Sequence, residues 1–302
     1  MARADAPRLL DADPRSTLRG PLLLLAAAFC FSIMSVLVKL AGARIPPMQV
    51  VLARSVVTLL LSYAMLRRGG HALRGREPRL LVQRALLGFV ALSFYFTSLT
   101  MLPIAEATVI QYTNPVFTAI LAAIFLRERT SLRVGIGIAI CLGGVLLVAR
   151  PLTLLGLAPA ASGARVITPL ALAVALGGAL FSAGAYTTVR RLRGEHPLLV
   201  VFYVPLISTP LSLPFVIAKA VWPTPLEWLV LLGVGVATQV SQMLFTRGLA
   251  LVPAGRGTAI GYAQVVFSSV IGAIAWHEVP AATTLAGGLL IAFGTAATIW
   301  AR

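Results

Sequence analysis

The sequence predicts an all-α membrane protein with ten transmembrane helices, arranged as two five-helix inverted repeats. The first observation is composition: 59% of the residues are hydrophobic and 11% are charged, whereas a soluble domain carries about 25% charged residues. The second is that apolar runs recur along the chain, each about 20 residues long, the length that crosses a bilayer. The third is that the sequence matches itself after a shift of 150 positions.

Ten apolar runs define the predicted spans, and Pro, Gly or Arg marks most joints between them. In chain order the spans are 21–40, 48–66, 80–102, 104–126, 132–150, 168–189, 197–218, 225–246, 254–276 and 282–301. The first run contains Lys39 and is longer than the apolar region of a secretory signal, so we interpret it as a span. Prolines interrupt the span at 197–218, which makes it the least regular together with 48–66.

Basic residues predict how the chain threads the membrane. With a cytoplasmic N-terminus, 19 of the 25 Lys and Arg residues fall on cytoplasmic flanks, among them Arg67, Arg68, Arg79 and Arg84. This asymmetry follows the positive-inside rule and predicts a multi-pass protein of the cell (inner) membrane with both termini in the cytoplasm. The net charge of +16 is thus a topology signal, and we expect the lipid bilayer rather than nucleic acid as its partner.

The shift of 150 positions divides the chain into two halves. It aligns residues 103–128 with 253–278 without a gap, at nine identical positions, and places Gly137 on Gly287 and Gly144 on Gly294. The predicted organisation is a cytoplasmic tail at 1–20, a first repeat at 21–150, a linker at 151–167 and a second repeat at 168–302. Because five spans is an odd number, the second half enters the membrane inverted, as in many secondary transporters.

Four stretches carry a family resemblance: FSIMSVLVKLAG, VLARSVV, LPIAEATVIQYTNPVFTAILAAIFLRER and GIGIAICLGGVLLVARP. With the layout of spans, they make residues 20–302 resemble the EamA type of the drug/metabolite transporter superfamily. The resemblance implies a metabolite carrier whose central cavity is lined mainly by spans 1, 3, 4, 6, 8 and 9. It leaves the substrate open, since members carry amino acids, nucleotide-linked compounds, organic acids and S-adenosylmethionine.

The stretch QYTNP places polar residues inside the fourth span. Gln111, Asn114 and Pro115 share one helical face, with Tyr112 at its edge, and the proline predicts a kink because it has no N–H to donate to Gln111. Polar groups persist at membrane depth where protein, water or ligand satisfies them. We predict that this face lines a substrate cavity, paired with Tyr262 and Gln264 of the second half; polar contact between helices is the alternative.

Other polar residues extend the candidate site. The remaining candidates for substrate binding are Arg54, Ser93, Tyr95, Tyr186, Gln239 and Gln242. An Arg inside a span indicates function because its burial is costly, although Arg54 in contact with the outer headgroups is an equal alternative. Glu106 and Pro115 are candidates for gating or coupling; interfacial flanking explains Glu106 equally well.

Small residues recur every four positions in two spans. The two stripes are Gly135, Ala139 and Gly143, and Gly288, Ala292 and Ala296. Such stripes let helices approach closely. We expect them to pack inside each half, and a homodimer contact stays open.

These features favour a secondary transporter that moves a small polar metabolite, an organic anion or zwitterion, by alternating access. A carrier of S-adenosylmethionine or an amino acid is one alternative, since tyrosine faces attract cations; a channel or a non-transport membrane protein is another. We do not expect an enzyme, since no H-E-x-x-H or G-x-S-x-G motif is present. We expect no cofactor and no metal, because Cys30 and Cys141 lack metal-ligand spacing.

Overall fold

The computed structural model describes residues 14–114, 116–118, 120–121, 132–149, 167–192, 194–251, 260–261, 263–278 and 280–300. Pro115 and Tyr262 of the predicted site, and nearly all of the predicted linker, lie outside these ranges. Within them the regular secondary structure is helical. The all-α prediction is confirmed for this part of the chain.

Most of the helices lie within or close to the predicted spans. They are α1 (Pro14–Ala41), α2 (Pro47–Arg68), α3 (Pro78–Met101), α4 (Ile104–Gln111), α5 (Leu132–Ala149), α6 (Pro169–Arg191), α7 (Pro197–Lys219), α8 (Pro225–Leu251), α9 (Ala263–Trp276) and α10 (Ala282–Trp300). In the described ranges, α1, α2, α3, α6, α7 and α8 are long and apolar enough to cross a membrane. Short loops join several of these helices. The chain is therefore a multi-pass membrane protein.

The seventh helix is continuous although Pro205, Pro210 and Pro214 lie inside it. A proline in a soluble helix breaks the helix, but membrane helices tolerate it where neighbouring groups satisfy the freed carbonyls. The proline-interrupted span is therefore one helix.

A turn interrupts the predicted fourth span. The predicted span runs to residue 126; α4 ends at Gln111, Tyr112 and Thr113 form a turn, and helical residues follow at 114, 116–118 and 120–121. A proline at position 115 explains the interruption, since it lacks an N–H and crowds the carbonyl of the residue four earlier. The carbonyl of Ile110 accepts the Thr113 N–H at 3.0 Å and the Thr113 hydroxyl at 2.7 Å, so the turn keeps this oxygen bonded at membrane depth.

Helices of the first half pair with helices of the second. α1 packs on α8, α3 on α6, α2 on α7 and α5 on α10. A shift of 150 positions exchanges α1 with α6 and α3 with α8. The shift therefore maps the pair α1–α8 onto the pair α6–α3, and it maps the pairs α2–α7 and α5–α10 each onto itself.

Four glycines bring α5 and α10 into backbone contact. A Cβ atom on Gly144 would lie 2.6 Å from the carbonyl oxygen of Gly287, and one on Gly294 would lie 2.6 Å from that of Gly137. The predicted stripe of α5 is not used: a Cβ on Gly135 or Gly143 would meet no atom within 4 Å. The expectation that this stripe packs inside its half is therefore wrong for α5, since periodicity gives spacing along a helix but not the direction it faces.

Loop contacts identify which helix ends share a side of the molecule. On the side where α1 ends, the Ala41 side, Gln49 exchanges two hydrogen bonds with the backbone of Val221, at 2.7 and 3.0 Å. There the Arg44 guanidinium also binds both carboxylate oxygens of Glu227. On the opposite side, the Arg68 side, the loop after α2 meets the loop before α7.

A second ion pair closes the Ala41 side. Lys39 at the end of α1 lies 2.6 Å from the carboxylate of Glu278, and both side chains are about one tenth exposed, 11% and 10%. The Lys39 ammonium also lies 5.5 Å from the ring centroid of Trp276, an attractive placement for a cation. This pair joins the two halves next to Val38 and Leu102 of the hydrophobic core, and the Lys39 ammonium lies 3.5 Å from the carbonyl of Leu102.

On the Arg68 side the contact between halves is made by rings and a carboxylate. The rings of His71 and His196 stack with their centroids 4.0 Å apart. Glu195 accepts the backbone N–H of Glu77 at 2.7 Å. Each side of the molecule therefore carries its own contact between the halves.

Candidate functional site

Three predicted residues meet where α1, α3 and α9 approach the turn after α4. The Tyr112 hydroxyl donates to the side-chain oxygen of Gln264 at 2.9 Å. The Tyr95 hydroxyl and the Ser35 hydroxyl are 3.0 Å apart, and Gln264 and Thr108 also neighbour Tyr95. We call Ser35, Tyr95, Tyr112 and Gln264 the tyrosine cluster.

Two buried serines fix the tyrosine cluster in place. The Ser32 hydroxyl donates to the backbone carbonyl of Gln264 at 3.2 Å, and the Ser268 hydroxyl lies 3.3 Å from that of Ser32. Both serines are fully buried. These bonds join α1 of the first half to α9 of the second beside the tyrosines.

Gln111, the last residue of α4, links that helix to α6. Its amide nitrogen donates to the Ser182 hydroxyl at 2.8 Å. Its amide oxygen is buried and has no hydrogen-bond partner among the residues that the structure describes. A Cβ on Gly178 would lie 3.1 Å from this oxygen, so a glycine on α6 leaves room for it. An amide oxygen held in this way can accept a hydrogen bond from a ligand.

Arg54 lies inside the protein and not at a membrane surface. The residue is 7% exposed, and its Nε donates to the Thr238 hydroxyl of α8 at 3.2 Å. Its Nη1 is buried without a partner, and Arg54 is in neither of the ion pairs of the described residues. A buried charge without a counter-charge is strongly unfavourable, so this guanidinium is suited to an anionic ligand.

The two predicted glutamines of α8 differ in their surroundings. Gln239 is buried, accepts the Ser62 hydroxyl at 3.2 Å, and places its amide nitrogen 3.5 Å from the sulfur of Met65. Gln239 therefore joins α8 to α2. Gln242 is half-buried one turn further along α8.

Two other predicted residues are bonded mainly within their own helices. The Ser93 hydroxyl donates to the carbonyl of Phe89, one turn back in α3, at 2.8 Å. Asn114 is half-buried, and its backbone carbonyl accepts the Thr118 hydroxyl at 2.8 Å. Neither side chain makes a described contact with the tyrosine cluster.

Glu106 and Tyr186 lie in different surroundings. Glu106 is buried in the first turn of α4, where its carboxylate accepts the Thr284 hydroxyl of α10 at 3.1 Å. It therefore ties α4 to α10. Tyr186 is 44% exposed on α6, and its phenol lies near enough to Arg84 for the two groups to interact.

Arg84 is a residue that the sequence analysis assigned to topology alone. It lies within the predicted span 80–102, and the structure turns its guanidinium toward Gly88, where a Cβ would lie 2.5 Å from Nη1. Its Nε is buried and has no partner in the described part of the chain, and its charge acts on Arg54. The signal in the sequence was an arginine inside a span with a glycine one turn further on.

The arrangement offers groups suited to binding a polar ligand. It offers unused hydrogen-bond donors on Arg54 and Arg84, an unused acceptor on Gln111, and the aromatic rings of the tyrosine cluster. No group of three His, Cys, Asp or Glu residues that could hold a metal occurs in the described ranges.

Comparison with known proteins agrees with this picture. The model of the EamA-like transporter family matches the chain twice, at residues 18–150 and 169–300. A solved crystal structure, 21% identical, superimposes with a TM-score of 0.63 over 96% of this chain and 99% of its own. This superposition shows that the fold is shared.

Several curated relatives of this chain are named as transporters. The pseudopaline exporter CntI of Pseudomonas aeruginosa is 32% identical over 274 residues, which cover 90% of this chain and 93% of the exporter. Human solute carrier family 35 member G1 is 27% identical, over 88% of this chain and 75% of its own. The S-adenosylmethionine uptake transporter of Rickettsia prowazekii is 23% identical, over 86% of this chain and 85% of its own.

Proposed function

Because this chain belongs to the EamA-like transporter family, we propose that it is a secondary transporter that moves a small organic anion or zwitterion across the cell (inner) membrane by alternating access. The proposal includes ten transmembrane helices in two inverted repeats, with both termini in the cytoplasm. We infer the substrate class from the buried guanidinium of Arg54, whose Nη1 has no hydrogen-bond partner among the described residues.

Electrostatics favours an anionic group next to the Arg54 guanidinium. Removing a guanidinium from water costs several kcal/mol. The hydrogen bond from Arg54 to the neutral Thr238 hydroxyl does not neutralise the charge. A carboxylate or phosphate would accept charge-assisted hydrogen bonds from the same group, which are stronger than bonds between neutral groups. The cation therefore selects ligands that bring a negative charge.

Three observations support alternating access between inverted halves. The family model matches each half separately. The helix pairs α1–α8 and α3–α6 exchange under the shift of 150 positions. The tyrosine cluster joins both halves, since Tyr112 belongs to the first and Gln264 to the second. Sites at the interface between repeats are typical of secondary transporters.

The relatives suggest members for a substrate panel. Pseudopaline is the first, from the name of the exporter that is 32% identical. S-adenosylmethionine is another, from the name of the more distant uptake transporter. The unpartnered arginine favours an anion over a ligand recognised through a positive charge, because like charges repel in a low-dielectric interior.

The test is uptake by purified protein in proteoliposomes. The panel is pseudopaline, labelled carboxylates, amino acids and S-adenosylmethionine, each with and without the same compound inside. We expect saturable uptake of one anionic or zwitterionic class, stimulated by internal substrate. Arg54→Gln should lower this uptake about 10- to 100-fold, since a hydrogen bond to a charged group contributes about 1.5–3 kcal/mol.

The matched control is Arg68→Gln. Arg68 ends the same helix and is exposed, so this variant loses the same charge away from the site and should keep its uptake. Full uptake by Arg54→Gln would contradict the role of Arg54. Flux that does not saturate and is indifferent to internal substrate would indicate a channel instead.

A further inference from the structure

A second arginine, Arg84, lies close enough to Arg54 for the two charges to interact. Arg84 lies in the second turn of α3, which begins at Pro78 on the Arg68 side. Side chains on a helix lean toward its N-terminus, and a basic residue near a membrane surface extends its charge toward the headgroups. Both tendencies would direct Arg84 to the Arg68 side.

The structure places the guanidinium in the opposite direction. The Nη1 of Arg84 lies over Gly88, one turn further toward the Ala41 side, where a Cβ would be 2.5 Å away. Gly88 thus provides the space that this conformation needs. The Nε atom of Arg84 is buried without a partner, as is Nη1 of Arg54.

The two arginines occupy corresponding crossings of helices. Arg54 of α2 binds Thr238 of α8, and the shift of 150 positions relates Thr238 to Gly88. A Cβ on Gly88 would also lie 3.8 Å from Val204 of α7, the residue that the shift relates to Arg54. One cation therefore lies at the crossing of α2 and α8, and the other at the crossing of α3 and α7.

The charges of the two arginines repel each other, and neither takes part in an ion pair of the described residues. One monovalent anion would neutralise one of them and leave the other uncompensated. We propose that Arg84 forms a second anion subsite, so that the substrate carries two separate anionic groups, one for each arginine. This inference rests on the proposed function, because it extends the site that contains Arg54.

Matched acids test the inference directly. The probes are dicarboxylates from malonate to adipate and the monocarboxylates of equal chain length, from propionate to hexanoate, with binding to the purified full chain measured by equilibrium dialysis. We expect at least one dicarboxylate to bind about 10- to 100-fold more tightly than its monocarboxylate, from the charge-assisted bonds to a second guanidinium. Equal binding of every pair, or no binding of either acid, would overturn the inference.

Variants locate the second subsite. Arg84→Gln should abolish the difference between the paired acids, while Arg79→Gln, an exposed arginine of the same helix, should preserve the difference. Gly88→Ala keeps both arginines but displaces the Arg84 guanidinium. This variant should also abolish the difference in binding between the paired acids. Because alanine favours a helix more than glycine does, the stability of the protein should not fall. A difference retained in both Arg84→Gln and Gly88→Ala would overturn the inference.

Different results would contradict the proposed function and the second subsite. Monocarboxylate binding that survives Arg54→Gln would contradict the first subsite, whatever Arg84 does. Saturable uptake in proteoliposomes together with equal binding of the paired acids would leave the transporter intact and remove the second subsite alone.

Discussion

At the scale of single residues, buried polar groups differ in how much hydrogen-bonding capacity they have left. The hydroxyls of Ser93 and Thr238 donate to carbonyls one turn back in their own helices, which satisfies them without a ligand. Gln111 instead donates across to Ser182 and keeps a buried oxygen without a partner. Because an unmade buried hydrogen bond is costly, Gln111 is a better candidate for substrate contact than Ser93.

Replacing Gln111 by methionine tests this distinction. Gln111→Met keeps the approximate size of the side chain but removes the acceptor together with the bond to Ser182, and should lower the uptake of the substrate about 2- to 10-fold, the worth of one neutral hydrogen bond to the substrate. Ser93→Ala removes a bond internal to α3 and should leave uptake within about twofold of the wild type. Equal losses in the two variants, measured as initial rates in proteoliposomes, would contradict the assignment.

At the scale of helices, α5 and α10 are held together by glycines that face each other. The repeat shift already related Gly137 to Gly287 and Gly144 to Gly294 in the sequence, and the structure brings Gly144 against Gly287 and Gly137 against Gly294. The stripe with Gly143 was predicted from spacing alone and faces open space. Its direction depends on which neighbours surround α5, and local periodicity contains no information about them.

A valine scan separates the two faces of α5. Gly144→Val inserts a branched side chain where a Cβ would already lie 2.6 Å from the Gly287 oxygen, so it should destabilise the protein by about 1–3 kcal/mol or more, as overpacked cores do. Gly143→Val, the adjacent position, meets no atom within 4 Å and should change stability little. Thermal unfolding in detergent measures both; an equal loss in both variants would contradict the backbone contact.

The helix boundaries show where sequence reasoning succeeds and where it stops. Long apolar runs predicted α2, α3, α6 and α7 within a few residues, since the bilayer sets the length of a span, whereas α1 begins at Pro14 and α8 continues to Leu251, beyond their predicted ends. The sequence also indicated an interruption near Pro115, but the turn at Tyr112 and Thr113 depends on local hydrogen bonds. Arg84 was assigned to topology because a count of charges on flanks does not show which way a long side chain points.

At the scale of the whole molecule, each side has its own contact between the halves. Lys39 and Glu278 close the Ala41 side, and the stacked rings of His71 and His196 join loops on the Arg68 side. In the proposed cycle these two contacts would open in turn, since alternating access requires that one side be closed while the other is open.

Loss of the ion pair should open the Ala41 side. Glu278→Gln leaves the Lys39 ammonium in a site only about one tenth exposed, which is unfavourable. A cysteine placed at Val38, in a background with Cys30 and Cys141 replaced by serine, should then react faster with a membrane-impermeant thiol reagent. Glu77→Gln, an exposed carboxylate on the other side, is the control; equal labelling in both variants would refute a closing role for the pair.

Acidification should weaken the contact on the Arg68 side. Burial, and next the charge of His71, lower the pKa of His196, whose Nδ1 accepts the N–H of Leu198 at the start of α7. A lowered pKa means that this contribution to stability is present above the ordinary histidine pKa near 6.5 and is lost as pH falls below it.

The measurement compares thermal midpoints at neutral and acid pH. His196→Asn provides an acceptor for the helix start but has no proton to gain, so its midpoint should fall less on acidification than that of the wild type. Identical pH dependence in the two proteins would show that His196 does not contribute.

The unequal charges of the two halves have a consequence for the ancestry of the protein. The shift of 150 positions relates Arg54 to Val204 and Arg84 to Val234, so each cation occurs once. In an ancestor assembled from two identical antiparallel copies, each of these arginines would have occurred twice or not at all. Fusion of the copies into one gene lets a position in one half mutate without its counterpart in the other half. The substrate site of a symmetric carrier can then become asymmetric and bind its substrate in one preferred orientation.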